Sequence, residues 1–237
     1  MQQFAAANRL IQAFPSGVCK RVYPALAYCA FAVGDVIHEP GELVEHVFFP
    51  TSAVVSLIYT MVDGDTAEMA LVGNEGVVGV ALFLGGHTMP NQAVVQVAGG
   101  ALRMTARAVR EEFDRGGPFQ LGLLRYTQAL LTQISQTAVC NRLHPIEQRL
   151  ARWLLMIRHR LPWGDVQMTH ESLAHVLGVR REGITLAAHR LQETGLIRYH
   201  HGHITILDPK GLEAAACECY GVVKDEFDRL LGQQPSV

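Results

Sequence analysis

The chain is predicted to be an α+β protein built in three successive parts: an N-terminal antiparallel β-roll, a long helix and a C-terminal winged helix-turn-helix. Three observations carry that expectation. From about Tyr28 to Arg107 the sequence runs in short β-rich segments punctuated by glycine turns, the pattern of an antiparallel barrel or roll. A long helical pattern then starts near Phe119. Finally, Thr169 to Leu196 reads as helix, glycine, helix, and an alternating hairpin follows it.

Residues 4–22 suggest short helices interrupted by Pro15, Ser16 and Gly17. The strand candidates are 44–49, 53–62, 66–72, 93–98 and 101–106, with Asp63-Gly64-Asp65 as a hairpin turn. Gly116, Gly117 and Pro118 break the pattern before the long helix. Along it, Phe119, Leu123, Tyr126, Leu130 and Thr137 recur at helical spacing with Ile134 beside them, an apolar seam suited to a two-helix dimer interface. The alternative is a helix packed on its own roll.

A new amphipathic helix spans 144–161, with Ile146, Leu150, Trp153, Leu154 and Ile157 inward and Arg149, Arg152, Arg158 and Arg160 mostly outward. Pro162-Trp163-Gly164-Asp165 is the expected turn. Thr169 can cap the next helix, whose buried stripe is Leu173, Ala174 and Leu177, and Gly178 ends it. The second helix turns Ile184, Ala188 and Leu191 inward and presents Arg180, Arg181 and Glu182 at its start, the part of a recognition helix that meets base edges. Residues 196–208 alternate around Gly202 as a wing, and 210–231 form a last amphipathic helix. The expected division is 1–116 for the roll, 117–142 for the dimerisation helix and 143–237 for the DNA-binding part.

Composition narrows the function. With 49% hydrophobic and 18% charged residues in 237, a sizeable core is available and disorder is excluded. No run approaches the roughly 18 apolar residues of a membrane span. The start MQQFAAANRL lacks an export signal. Five cysteines without framework spacing argue for a reducing compartment, so a cytoplasmic protein is expected. The net charge of −2 hides an uneven distribution. Residues 142–203 hold 9 arginines against 5 acidic residues and 8 of the 11 histidines, a local basic zone suited to phosphate contact. An enzyme has little support: there is no nucleophile–base pairing or phosphate loop, and His170-Glu171 lacks the second histidine of a zincin motif.

GDVIHEPGE (34–42), RLARWLL (149–155) and THESLAHVLGVRREGITLAAHRLQETGLI (169–197) resemble the Crp–Fnr family of bacterial transcription regulators. The resemblance spans essentially the whole chain. It implies a cyclic-nucleotide-binding-like roll that senses a small molecule or redox state, a homodimer, and double-stranded DNA carrying an inverted repeat. RNA polymerase is a further candidate partner.

By the same resemblance, Arg181 and Glu182 match an Arg-Glu pair that reads guanine and cytosine edges. Arg180 is assigned to a base edge or a phosphate, and Leu186, where relatives carry a second arginine, to an apolar contact. Thr169, Thr185, His189 and His201 are phosphate candidates. The tail EAAACECYGVV resembles that of a subset without the usual cyclic-nucleotide pocket. In the corresponding stretch, Gly79 and Ala93 align, but Val80 replaces a glutamate. Asn91 and Gln92 replace the phosphate-binding Arg and Ser or Thr. Cyclic AMP binding through the usual contacts is therefore not expected, unless Arg103 or Arg107 reaches in. Gly76, Gly79, Gly85 and Gly86 then serve as turn glycines.

No cofactor is identified, and an unknown small-molecule effector is left open. Cys19 and Cys29 lie too far apart for an iron–sulfur motif. Cys217 and Cys219 have C-x-C spacing but no partner pair. The His200-His201-Gly202-His203 tract resembles a metal site by composition alone, and haem ligation by His38, His46 or His87 has no motif behind it. No metal is expected. The leading reading is a DNA-binding regulator, and the alternative is a sensor or scaffold of the same fold acting by protein contact.

Overall fold

The computed structural model describes residues 5, 7–161 and 165–232. The start of the chain and the turn expected at Pro162-Trp163-Gly164 lie outside the described residues. Two short helices open the described chain, α1 (Arg9–Gln12) and α2 (Ser16–Val22). Asn8 caps α1, and its amide also donates to the carbonyls of Pro50 and Gly76, fixing this end to the roll.

The roll consists of two antiparallel sheets. One has the order β1 (Leu26–Phe31), β7 (Gly99–Thr105), β3 (His46–Pro50). The other has β2 (Val36–His38), β6 (Gln92–Val97), β4 (Val54–Thr60), β5 (Thr66–Val72). The β4–β5 hairpin closes through the Asp63-Gly64-Asp65 turn, as its residues suggest, with Thr60 paired to Thr66. Alternate side chains such as Val47, Phe49, Val55, Leu71, Val95 and Leu102 meet between the sheets, which is what strand alternation produces.

After α3 (Ala106–Asp114), the long helix α4 (Pro118–Leu143) crosses the roll. Its Phe119, Leu123, Tyr126 and Leu130 are buried in the protomer's own core, Thr137 is buried and Ile134 is half-buried. This overturns their assignment to a dimer seam: the roll and the C-terminal helix already cover that stripe. Tyr126 packs edge-on against Phe227 with ring centroids 6.3 Å apart. A side chain at Gly76 would collide with the Tyr126 ring, so Gly76 serves close approach of roll and helix.

Helix α5 (Ile146–Arg158) follows, then β8 (Asp165–Gln167), α6 (His170–Leu177), α7 (Arg181–Glu193), β9 (Ile197–His200) and β10 (His203–Ile206). The last three strands form a small sheet in the order β8-β10-β9. The single C-terminal helix expected over 210–231 is two helices, α8 (Pro209–Ala215) and α9 (Cys219–Leu231). α9 lies along α4. The expectation that the arginines of α5 face outward is also corrected. Arg149, Arg152 and Arg160 are buried because α7, α8, α9 and the roll surround this helix. Arg149 donates to the Leu177 carbonyl at the end of α6. Arg160 pairs with Glu75 of the roll at 2.8 Å.

Candidate nucleic-acid interface

The helix-turn-helix is assembled by local rules. Thr169 Oγ1 accepts from the Ser172 amide at 3.0 Å and caps α6. Gly178 ends α6 with φ +60°, a left-handed turn that a residue with a Cβ resists. The turn then hands the chain to Arg180, which precedes the first turn of α7. Ile184, Ala187, Ala188 and Leu191 are buried, and Gly183 lets α7 approach Ile146 of α5, which a Cβ there would displace. Everything this packing leaves out faces solvent.

That outer face carries the residues singled out in the sequence. Arg180, Arg181, Glu182, Thr185, Leu186 and His189 are all exposed. Arg181, Thr185 and His189 follow one another at four-residue spacing along one side of α7. No ion pair ties Arg180 or Arg181 among the described residues. His189 lies 3.3 Å from Glu193. The wing turn is His201-Gly202, both with positive φ (46° and 82°), the geometry of a two-residue hairpin loop. His201 is exposed at its tip, its Nδ1 2.8 Å from His200 Nε2.

Two positioning residues escaped the sequence reading. His170 Nδ1 lies 3.0 Å from Thr185 Oγ1, and its ring stacks on Tyr199 of the wing at 4.2 Å. One imidazole thus joins the start of α6, the outer face of α7 and the wing. Burial, and then the nearby Arg181 cation, lower its pKa, which favours the neutral ring. The missed signal was the stacking partner, which lies on another element.

The roll holds a cavity of about 610 Å³ between β4, β5 and α4. Leu57, Met69, Val80, Met89, Leu130 and Ile134 make its wall mostly apolar, with Asn91 and Thr127 among the polar groups. Of the pocket residues marked in the sequence, Val80 and Asn91 line this space. Gln92 donates instead to Glu39 at 2.8 Å, the Asn91 amide donates to the Gln92 carbonyl, and Ala93 is buried in β6. Gly79 takes φ +101° before the short 3-10 turn at Val80–Phe83. Arg107 is exposed and pairs with Glu111, and Arg103 is exposed on β7. Neither lines the cavity.

Comparison with known proteins agrees with this architecture in both halves. A family model described as a cyclic nucleotide-binding domain matches residues 29–115. A second, described as a Crp-like helix-turn-helix domain, matches residues 148–215. The chain belongs to the Crp–Fnr family of transcription regulators. This Crp–Fnr regulator is 25% identical over 195 residues to the global nitrogen regulator of Synechococcus elongatus, covering 77% of this chain and 86% of that one. FixK2 from Bradyrhizobium japonicum shares the fold with a TM-score of 0.70 at 16% identity, over 81% of this chain and 98% of the other. A CRP-family regulator from Thermus thermophilus does so at 0.67 and 18%, over 79% and 96%. Among the described residues no helix is long and apolar enough to cross a membrane.

The structure also brings together residues of this regulator that the sequence left apart. Cys140 at the end of α4 and His144 just after it meet Cys217 and Cys219 at the break between α8 and α9. Cys217 and Cys219 therefore do have partners. The partners are more than seventy positions away, beyond the reach of any spacing rule.

Proposed function

We propose that this protein is a cytoplasmic homodimer that binds an inverted-repeat DNA site and regulates transcription through it. The observation that carries the reading is the solvent-facing Arg180-Arg181-Glu182 group at the start of α7, backed by a buried stripe and flanked by the wing. Arg181 can donate twice to guanine N7 and O6, and Glu182 can accept from cytosine N4. Leu186 offers a thymine methyl only apolar contact, while Thr169, Thr185, His189 and His201 surround them as phosphate contacts. The second recognition helix comes from a partner copy joined along the exposed edge of α4.

That edge is displaced from the stripe read in the sequence. Leu121, Leu124, Gln128, Leu131, Ser135 and Ala138 are exposed at alternating spacings of three and four, the period of a two-helix seam. Leu131 is 59% exposed, against 4% for its neighbour Leu130, which supports the exposed stripe over the buried one.

The roll does not take cyclic AMP by the usual contacts. Val80, Asn91 and Gln92 offer no cation for a phosphate, and desolvating that charge against amides alone is unfavourable. Isothermal titration with cyclic AMP is expected to give no heat of binding at millimolar ligand. A micromolar dissociation constant would overturn this part.

The DNA reading is tested by fluorescence anisotropy with a genomic operator fragment across a salt series. Arg181→Ala is expected to weaken operator binding by about 10- to 100-fold, in line with the roughly 1–3 kcal/mol of a bidentate base contact. Affinity should also fall steeply with salt as counterions are released. Binding that ignores both the substitution and the salt would favour a scaffold acting by protein contact.

A further inference from the structure

Four metal-binding side chains from three parts of the chain converge beneath the long helix. Cys140 lies in the last turn of α4, His144 follows its end, and Cys217 and Cys219 flank the break between α8 and α9. One donor atom from each lies within 4.8 Å of all the others. Cys140 Sγ is 3.4 Å from Cys217 Sγ, and Cys219 Sγ is 3.6 Å from His144 Nδ1. We propose that these four residues form a closed tetrahedral site for a single zinc ion, which clasps the end of the long helix to the C-terminal helices of the DNA-binding part.

Geometry separates this reading from its competitors. Zinc–sulfur bonds of about 2.3 Å in a tetrahedron put neighbouring ligand atoms about 3.8 Å apart, so the cluster needs only small side-chain movements to close on an ion. An iron–sulfur cluster would interpose several iron and sulfide atoms and spread the cysteines further. A Cys140–Cys217 disulfide would leave Cys219 and His144 gathered there without a purpose. Three thiolates and one imidazole with no open position make up a structural rather than a catalytic zinc site.

The surroundings are those of a built site. His144 turns Nδ1 toward Cys219, while its Nε2 lies 3.4 Å from a Glu218 carboxylate oxygen. A carboxylate behind a histidine fixes the tautomer and ring orientation of a metal ligand. The three thiols form a buried cluster apart from the main core. Three thiolates around Zn²⁺ leave one net negative charge. Arg149 and Arg152 are buried within electrostatic reach of Cys140, each with an Nε that finds no hydrogen-bond partner among the described residues. Buried cations need a counter-charge, and an anionic zinc–thiolate centre supplies it.

The consequence is mechanical. The ion holds the break before α9 against the end of α4, so it fixes how the DNA-binding part stands on the long helix.

The test uses the full chain expressed with zinc supplementation and purified under reducing conditions, with metal content as the first readout. Elemental analysis is expected to find one zinc per chain. After removal by a chelator, cobalt(II) added to the reduced apoprotein should give the intense visible bands of tetrahedral cobalt together with thiolate charge transfer. Cys140→Ser, Cys217→Ser and Cys219→Ser should each weaken or abolish the bands, while His144→Cys should keep the ion and shift them. Glu218→Gln should lower zinc affinity by about 10-fold or more. A zinc-free protein whose reduced apo form gives no cobalt spectrum overturns the site, and the wild-type result needs no variant to fold. Bands undiminished by the cysteine substitutions place the ion elsewhere and overturn it as well. None of these readouts depends on DNA binding.

Discussion

Glu68 is a roll residue whose carboxylate is buried against the DNA-binding part. It accepts from Ser56 within the roll and from Trp153 Nε1 of α5 at 2.9 Å. Burial pushes its pKa from the ordinary 4.5 up to about 7, although both hydrogen bonds and the fields of Arg152 and Arg160 oppose the rise. The folded state thus binds this proton more tightly than the unfolded chain does. Glu68 therefore supports the fold fully below about pH 4.5, and that support is lost as pH rises toward 7. The loss amounts to at most about 3–4 kcal/mol. Glu68→Gln keeps an acceptor for Trp153 and has no proton to lose. Thermal melts from pH 5 to 8 should show the variant gaining on the wild type as pH rises. A constant difference across that range would contradict the assigned ionisation.

Individual elements show where sequence reasoning works and where it stops. The helix-turn-helix was legible because its determinants are local: Thr169 as cap, Gly178 as left-handed turn, and two short buried stripes. The roll was legible as strands separated by glycine turns. The buried stripe of α4 reads as a seam in the sequence because both sides of the helix carry leucines, Leu123 and Leu130 on one and Leu121, Leu124 and Leu131 on the other. Periodicity alone does not say which one the chain covers itself. Burial now tells neighbouring residues of the two stripes apart. Leu123 is fully buried and Leu124 is 43% exposed. Leu124→Asp should leave the fold intact while shifting the protein to monomer by analytical ultracentrifugation, with operator affinity falling in parallel. Leu123→Ala should cost about 2–5 kcal/mol of stability. A Leu124→Asp protein that stays dimeric would show that the pairing surface lies elsewhere.

Across the whole molecule, the roll and the DNA-binding part are joined by buried polar contacts rather than by a bare linker. Arg160 pairs with Glu75 and donates to Gln133 Oε1 at 2.9 Å, and Gln133 in turn donates to the Leu71 carbonyl at 3.0 Å. The turn of the helix-turn-helix rests on the β4–β5 hairpin, where Thr66 Oγ1 donates to the His175 carbonyl at 3.1 Å. Gly178 also borders the roll cavity. An occupant of that cavity would touch the roll, the long helix and the turn together. Its effect on DNA binding would be limited to its differential affinity for the two arrangements.

None of this coupling was legible in the sequence, since Arg160 and Glu75 are 85 positions apart and a charged residue on a helix reads as solvent-facing. Arg160→Met should destabilise the protein by about 3–5 kcal/mol by stranding Glu75, and a Glu75→Leu partner substitution should recover most of it in chemical denaturation. Equal losses in the single and double variants would show that the pair does not couple the two parts.

The most direct measurement is selection of binding sites from a pool of random duplex DNA by the purified wild-type protein. Enrichment is expected of an inverted repeat whose half-sites lie about one helical turn, ~34 Å, apart, with guanine preference in each half-site lost on Arg181→Ala. Recovery of unenriched sequence, or of a motif unchanged by that substitution, would contradict it.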